Sequence, residues 1–419
     1  MDRRIFLKGL GALGCSAAAH PFITTMTLAE AVAEGGSPLG DHRLIVIILR
    51  GAMDGLDVVR PVDDPILARL RPSFGAGEPA LPLADRFGLH PALKGLLPLW
   101  AKGELAFAHA VSTPYRDKRS HFDGQDLLEA GTGMDVPAGS KREGWLNRML
   151  QVVPGLRAET AFAVGRDALP LLAGDAPTMS WTPEVRLDLS AQSRLLLEHV
   201  WHDDDLFRES GGEAMVLAAE GTMPDAAPGD DDGQDPSMMA AGEPGSDNKP
   251  PKAEASVDGL VDFAVSRLLG ATRIAAFSQS GWDTHRNQER FIAGPLEQLQ
   301  QTVLRMAEGL GPDVWGKTCL LAMTEFGRTV AENGTTGTDH GTAGVMLMAG
   351  GALKGGRVLG RWPGLEEADL YDRRDLMPTS DVRSWAAWAM HNLYGFDRAA
   401  LESAVFPGLD MGDDPGFIG

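Results

Sequence analysis

An aspartate and a histidine stand side by side in a stretch rich in glycine and threonine, GTTGTDHGTAGVMLMAGG, at 334–351. Asp339 and His340 come just before an apolar run of the kind that forms buried strands. A turn needs glycine but does not need a histidine, whereas a metal site uses both carboxylate and imidazole. The pair therefore suggests a metal or anion site at the mouth of this strand.

Similar side chains follow four other apolar runs. They are Asp54, Ser120, His121, Asp283, His285, Glu325 and Arg328. Apolar runs that end in polar residues are typical of buried parallel strands, and ligands of such sheets bind at the carboxyl ends of the strands. We therefore expect all of these side chains to gather at one edge of a sheet.

Five apolar runs, separated by helical patterns, indicate the fold class. The runs are 43–57, 104–112, 272–283, 317–328 and 342–351. Between them, 90–103 and 294–310 have apolar residues at spacings of three and four, which predicts helices. Alternating strands and helices predict an α/β fold with a mainly parallel central sheet flanked by helices.

The chemistry of these residues points to a divalent metal. Carboxylate and imidazole groups are ligands for zinc, manganese, iron, magnesium or calcium. Carboxylates gathered without a cation would repel one another and raise their pKa values. Simpler explanations stay open for each piece: Asp283 and His285 could form a polar turn, Ser120 could cap a helix, and Glu325 could form a structural ion pair with Arg328.

Composition limits the partners and the compartment. The net charge of −20 over 419 residues argues against a nucleic-acid partner. Residues 209–256 are rich in Pro, Gly, Ala and Asp, which predicts a disordered acidic insertion within a single domain at 40–408. Two cysteines exclude a disulfide framework, and Cys319 lies in a strand-like run, where we expect a buried thiol.

The N-terminus predicts export. Residues 1–31 begin MDRRIFLKG, with Arg3 and Arg4 before a weakly apolar stretch, as in twin-arginine signals. The apolar stretch is too short to span a bilayer, so we expect no transmembrane anchor. We expect the twin-arginine export machinery as a partner, a periplasmic or extracellular location and no lipid on Cys15. The alternative is the basic amphipathic N-terminus of a cytosolic protein.

Several of these segments together resemble a known family. The segments RRIFLKG, LRGAMDGLDVVRP, RSHFDGQDLLEAGT, GWDTH, TEFGRT and GTDHGTAG resemble the domain of unknown function 1501, over about residues 1–170 and 258–395. That resemblance implies twin-arginine export and a sulfatase-like, alkaline phosphatase-like fold with metals at the strand ends. It implies no particular substrate.

The resemblance also implies roles for residues. In phosphatases and sulfatases of that superfamily, an early strand-end Asp binds a metal and a hydroxyl or thiol at a helix start is the nucleophile. Asp54 and Ser120 match these two positions in order. A later Asp and His, matched by Asp283 and His285, bind the other metal, and His340 matches the last histidine of that site.

The sequence departs from the superfamily at one strand end. Where an Asp-His pair is usual, this chain has Glu325 and Phe326, so the acid is kept and the imidazole is missing. Whether a second metal binds therefore stays open. By the same comparison, Asp339 would orient His340 or help to bind that second metal.

The implied activity is metal-assisted hydrolysis of an ester of a small molecule or a polymer. Ser120 would attack phosphorus or sulfur, Arg328 or Arg119 would bind the ester oxygens, and His121 would be a general acid or a structural residue. The sulfatase signature, a Cys or Ser followed two positions on by Pro and then by Arg, is absent, which favours phosphate esters. Two alternatives are a non-catalytic exported binding or assembly protein on a degenerate phosphatase-like scaffold, and a polymer-associated factor with one structural metal.

Overall fold

A nine-stranded sheet lies at the centre of the computed structural model, which describes residues 38–74, 79–84, 86–134, 143–156, 158–164, 169–181 and 257–419. In chain order, the described strands are β1 (Arg43–Leu49), β2 (Val59–Pro61), β3 (Leu81–Pro82), β4 (Phe87–Leu89), β5 (Leu105–Ser112), β6 (Ala161–Val164), β7 (Met179–Trp181), β8 (Ile274–Gln279), β9 (Thr318–Thr324), β10 (Gly344–Ala349), β11 (Arg357–Leu359) and β12 (Ser380–Asp381).

Helices connect most of the strands. They are α1 (Gly55–Val58), α2 (Pro65–Leu70), α3 (Leu97–Lys102), α4 (His121–Ala130), α5 (Trp145–Gln151), α6 (Val257–Leu268), α7 (Gln288–Phe291), α8 (Ala293–Trp315), α9 (Val382–Tyr394) and α10 (Arg398–Ala400). Short 3-10 turns occupy Pro91–Leu96, Ala158–Thr160, Pro170–Leu172 and Glu367–Asp369, and a π turn occupies Leu401–Val405.

The strand order brings several loops to one edge of the sheet. The order is β11-β5-β10-β9-β1-β8-β6-β7, with β12 also on β5, while β2, β4 and β3 form a separate antiparallel sheet. β1 runs parallel to β8 and β9, and β10 runs antiparallel to both β9 and β5. The carboxyl ends of β1, β5, β8 and β9 therefore share the edge at which β10 begins.

All five apolar runs form strands, and the mainly parallel sheet flanked by helices is confirmed. The direction of β10 was not foreseen in the sequence. β10 follows β9 through a loop at 325–343 that contains no helix. A parallel neighbour needs a long crossover, usually helical, whereas an antiparallel one can follow a loop.

The central strands are buried on both faces. On β1, Val46 and Ile48 face a core formed with α5 and α9, whereas Ile45 and Ile47 face a core formed with α6 and α8. Helices on both faces explain why this strand is a continuous apolar run with no polar alternation.

The helix predicted at 90–103 is broken into two pieces. The Pro91–Leu96 turn precedes α3, because Pro98 has no N–H to continue the hydrogen-bond ladder. The export signal at 1–31 and the acidic insertion at 209–256 lie outside the described residues, and the domain bounds 40–408 stay a prediction. Among the described residues, no helix has the length and apolarity needed to cross a bilayer.

Candidate metal centre

Three histidines, one at the start of helix α4 and two in loops, point their Nε2 atoms at one carboxylate oxygen. Oδ1 of Asp283 lies 3.4 Å from Nε2 of His121, 3.1 Å from that of His285 and 3.4 Å from that of His340. A metal ion could be held by three of these residues, because each offers one ligand atom and the three atoms lie within 4.8 Å of one another. The three residues are His121, Asp283 and His340. The sheet edge that the sequence predicted thus brings together four of its candidate residues.

The opposite nitrogen of two of these rings is held by an oxygen. Nδ1 of His340 lies 2.9 Å from the backbone carbonyl of Arg119, and Nδ1 of His285 lies 3.3 Å from Oδ1 of Asp339. These oxygens can only accept, so each Nδ1 carries a proton and, in the neutral ring, each Nε2 carries a lone pair. The two Nε2 atoms are 2.9 Å apart. Two lone pairs at that distance need a proton or a cation between them.

His121 follows the same pattern. Its Nδ1 lies 2.7 Å from Oε1 of Glu325, and its Nε2 is buried without a hydrogen-bond partner among the described residues. Burial opposes a charge on this ring, but the carboxylates of Asp283 and Glu325 outweigh burial and raise the pKa of His121 to about 9. Without a metal the ring is therefore an imidazolium at neutral pH. A metal would take the place of that proton.

Asp283 carries a negative charge under all ordinary conditions. Burial opposes ionisation, but the imidazole rings of His121 and His340 and the guanidinium of Arg328 hold the pKa of this carboxyl far below its usual range. Its side chain is 46% exposed and that of His285 is 40% exposed. One side of the centre is therefore open to solvent.

Glu325, which the sequence placed among the metal ligands, lies behind His121. The carboxylate is fully buried and accepts from the Gly51 N–H at 3.0 Å, Gln125 Nε2 at 3.1 Å and Thr324 Oγ1 at 2.8 Å, besides His121. Burial alone would raise the pKa of Glu325, but the hydrogen bonds from His121, Gln125 and Thr324 lower it below its usual value. Its position is that of a group that orients a ligand, not of a ligand.

Arg328 is fully enclosed, so its guanidinium is not available to a substrate. Its Nη2 lies 2.6 Å from Oδ1 of Asp283. Its remaining contacts are to backbone carbonyls, those of Gly51, Ala52, Trp282 and Thr338. The side chain is 0% exposed, so it joins the loops and orients Asp283 instead of binding ester oxygens. A Cβ at Gly51 would lie 2.6 Å from the Asp283 nitrogen, so this close approach requires glycine.

Two further acids lie elsewhere than expected. Asp54 forms a buried ion pair with Arg71 at 2.7 Å and accepts from Gln288 at 2.6 Å, so its oxygens are not among those converging on the histidines. Asp339 contacts His285 and not His340. It orients a histidine, as the sequence suggested, but a different one.

Ser120 caps helix α4. Its Oγ accepts from the Asp123 N–H at a long 3.4 Å, while its own N–H donates to the Tyr115 hydroxyl at 2.8 Å. The simpler explanation of this serine, a helix cap, describes its contacts. Its role as nucleophile stays a prediction, supported by its place directly before His121.

The sequence predicts His121 as a general acid or a structural residue, whereas the structure places it among the candidate metal ligands. The available signal was the pairing of a histidine at a helix start with a strand-end glutamate, both at the same sheet edge. The carbonyl of Arg119 leaves no signal in the sequence, because any residue has a carbonyl.

A family profile described as "Protein of unknown function (DUF1501)" matches residues 83–385, a range that contains all three histidines and Asp283. No curated protein matches the chain.

Proposed function

The chain belongs to the DUF1501 family, and we propose that it is an exported, metal-dependent hydrolase of phosphate or sulfate esters. The observation that carries this proposal is the convergence of three Nε2 atoms on Asp283. Each of the three rings has its Nδ1 against an oxygen acceptor. Metal-binding histidines in proteins almost always have this second contact.

The donor set favours a transition metal. Three imidazole nitrogens and one carboxylate suit zinc, manganese or iron, whereas magnesium and calcium prefer oxygen ligands. The proposed ligands are His121, Asp283, His285 and His340. This is one site. Glu325, the acid at the strand end where the resemblance implies a second metal, is fully buried and contacts Nδ1 of His121.

A bound ion would supply Lewis acidity and would lower the pKa of a hydroxyl group beside it. The protein supplies the arrangement. Glu325 keeps the proton of His121 on Nδ1, and the carbonyl of Arg119 does the same for His340. Arg328 fixes the orientation of Asp283.

Ser120 is the proposed nucleophile. It precedes His121 directly, and as a cap its hydroxyl accepts from the Asp123 N–H at a long 3.4 Å. A capping hydrogen bond of this length contributes little to the stability of the helix. The hydroxyl can therefore rotate away from the helix and towards a substrate at the open side of the centre.

Superfamily and location are parts of the same proposal. A mainly parallel sheet with a candidate centre at its carboxyl edge supports an alkaline phosphatase-like, sulfatase-like assignment. The pair Arg3 and Arg4 supports twin-arginine export to the periplasm or beyond.

Elemental analysis of the protein purified from its export pathway, followed by a panel of phosphate and sulfate esters, tests the proposal. We expect about one transition metal per chain and metal-dependent turnover of at least one ester class. Protein that contains no metal and turns over no ester would contradict it.

Two structural observations favour a second candidate, a non-catalytic binding or assembly protein with a structural metal. Arg328 is fully enclosed and so not available to a substrate, and Ser120 caps a helix. A firmly bound metal without any ester turnover would select this alternative.

A further inference from the structure

Arg119 combines two features that are rare together. Its backbone adopts a left-handed conformation with φ of 52°, which is unfavourable for a non-glycine residue. Its carbonyl accepts from Nδ1 of His340, so the backbone is part of the centre. Its guanidinium is exposed and makes no hydrogen bond or ion pair with the described residues, acting on Asp375 only at longer range.

A small cavity lies beside this guanidinium. Its volume of about 20 Å³ has room for roughly one water molecule or one oxygen atom of a ligand. Gly341, which follows His340, forms part of the wall, so the cavity adjoins the centre. Arg116 lines it as well and donates from Nη1 alone, to Ser112 and to the carbonyls of Thr113 and Tyr115.

Acids also line the cavity, but most of them already have donors. Asp375 accepts from Thr342 and from Arg374, each at 2.9 Å. Asp117 accepts from the Tyr371 hydroxyl at 3.2 Å. The remaining acid, Asp372, lines the cavity together with Arg119 and Arg116, whose guanidinium groups still have free N–H groups.

The unused donors therefore belong to Arg119 and Arg116. We propose that these two arginines bind the tetrahedral oxyanion of the ester, phosphate or sulfate, with one of its oxygens in the cavity. The inference rests on the proposed function and assigns to Arg119 the role that the enclosed Arg328 cannot fill. Guanidinium groups recognise such anions through paired N–H···O bonds.

The test separates the side chain of Arg119 from its backbone. Arg119→Ala removes the guanidinium and keeps the carbonyl that holds His340, so metal content should not change. Arg119→Lys keeps the charge but loses the paired geometry. Lys118→Ala removes a neighbouring exposed cation and is the matched control. Inorganic phosphate and, separately, inorganic sulfate are titrated calorimetrically into each purified protein, whose metal content is measured in parallel.

We expect the affinity for at least one of the two anions to fall about tenfold or more in Arg119→Ala, less in Arg119→Lys, and at most about twofold in Lys118→Ala. The anion with the larger loss identifies the ester class. Equal affinity in wild type and Arg119→Ala, an equal loss in Lys118→Ala, or the absence of binding to either anion would each overturn the inference. If the purified protein contains no metal and its anion affinity still depends on Arg119, the anion subsite is supported and the metal-dependent function is contradicted. Failure of the inference and failure of the proposed function therefore give different results.

Discussion

Nδ1 of His121 lies 2.7 Å from Oε1 of Glu325, a carboxylate that is fully buried beneath the candidate centre. Buried carboxylates need a nearby positive charge or several donors. Glu325 has three neutral donors and this one imidazole, which can carry a proton or bind a metal. The stability of the buried Glu325 carboxylate therefore depends on whether His121 is protonated or bound to a metal.

This relationship predicts the effect of Glu325→Gln. The amide retains an oxygen that accepts from Nδ1 of His121. It removes the negative charge that makes Nε2 of that ring a strong ligand for a metal. We expect metal affinity to fall about 10- to 100-fold, as when other carboxylates that orient metal-bound histidines are changed. Competition with a chelator measures this affinity. Glu332→Gln, at a residue that contacts Ser73 away from the centre, is the control and should bind metal as wild type does.

A second prediction concerns pH in the metal-free protein. The pKa of His121 rises from 6.5 to about 9, so its protonation stabilises the fold fully below pH 6.5, and this contribution is lost as the pH increases through about 9. The imidazole signal of His121 should titrate near pH 9 in chelator-treated protein. A midpoint near 6.5 would show that Glu325 and Asp283 do not act on the ring as the geometry indicates.

The same shift predicts proton release when metal binds. At neutral pH His121 of the metal-free protein is an imidazolium, and a ligand must be deprotonated. We expect at least one proton to leave per metal bound, which calorimetry in buffers of different ionisation enthalpy measures. His121→Ala should bind metal more weakly and release fewer protons.

The fold was largely readable from the sequence because its strands are buried on both faces. Such strands appear as continuous apolar runs, and the five runs were strands. The direction of β10 was not readable, because the apolar pattern of a strand does not depend on its direction. The kind of connection, a loop with no helix, decides it.

The site was readable as a set of residues but not as a set of roles. Asp283, His285 and His340 converge as expected, because strand order alone brings their loops together. Glu325 and Asp54 have the right chemistry at the right edge, yet one faces the back of His121 and the other faces Arg71. Which way a side chain points from a strand end depends on tertiary contacts that no local pattern records.

A fourth prediction tests export. Replacing Arg3 and Arg4 by lysine keeps the positive charge but removes the arginine pair that the export machinery reads. The folded protein should accumulate in the cytosol, and cell fractionation with immunoblotting detects this. Normal delivery of the double lysine variant to the periplasm would rule out twin-arginine export.

The last prediction separates ligand from nucleophile. His340→Ala removes one of the nitrogens that converge on Asp283, so metal affinity should fall by orders of magnitude and dialysis should strip the metal. Ser120→Ala should retain its metal and lose ester turnover, because the hydroxyl would attack the ester without being a strong ligand. Elemental analysis after dialysis and the same ester panel measure both variants.

Stability provides the control for this pair. If His340 only hydrogen-bonds the carbonyl of Arg119, its loss costs about 1 to 3 kcal/mol of unfolding free energy and leaves metal content unchanged. Dialysed His340→Ala with the metal content of wild type would therefore refute the ligand assignment. Turnover that survives in Ser120→Ala would leave the centre intact but move the nucleophile elsewhere, because a helix cap can be lost without any effect on chemistry.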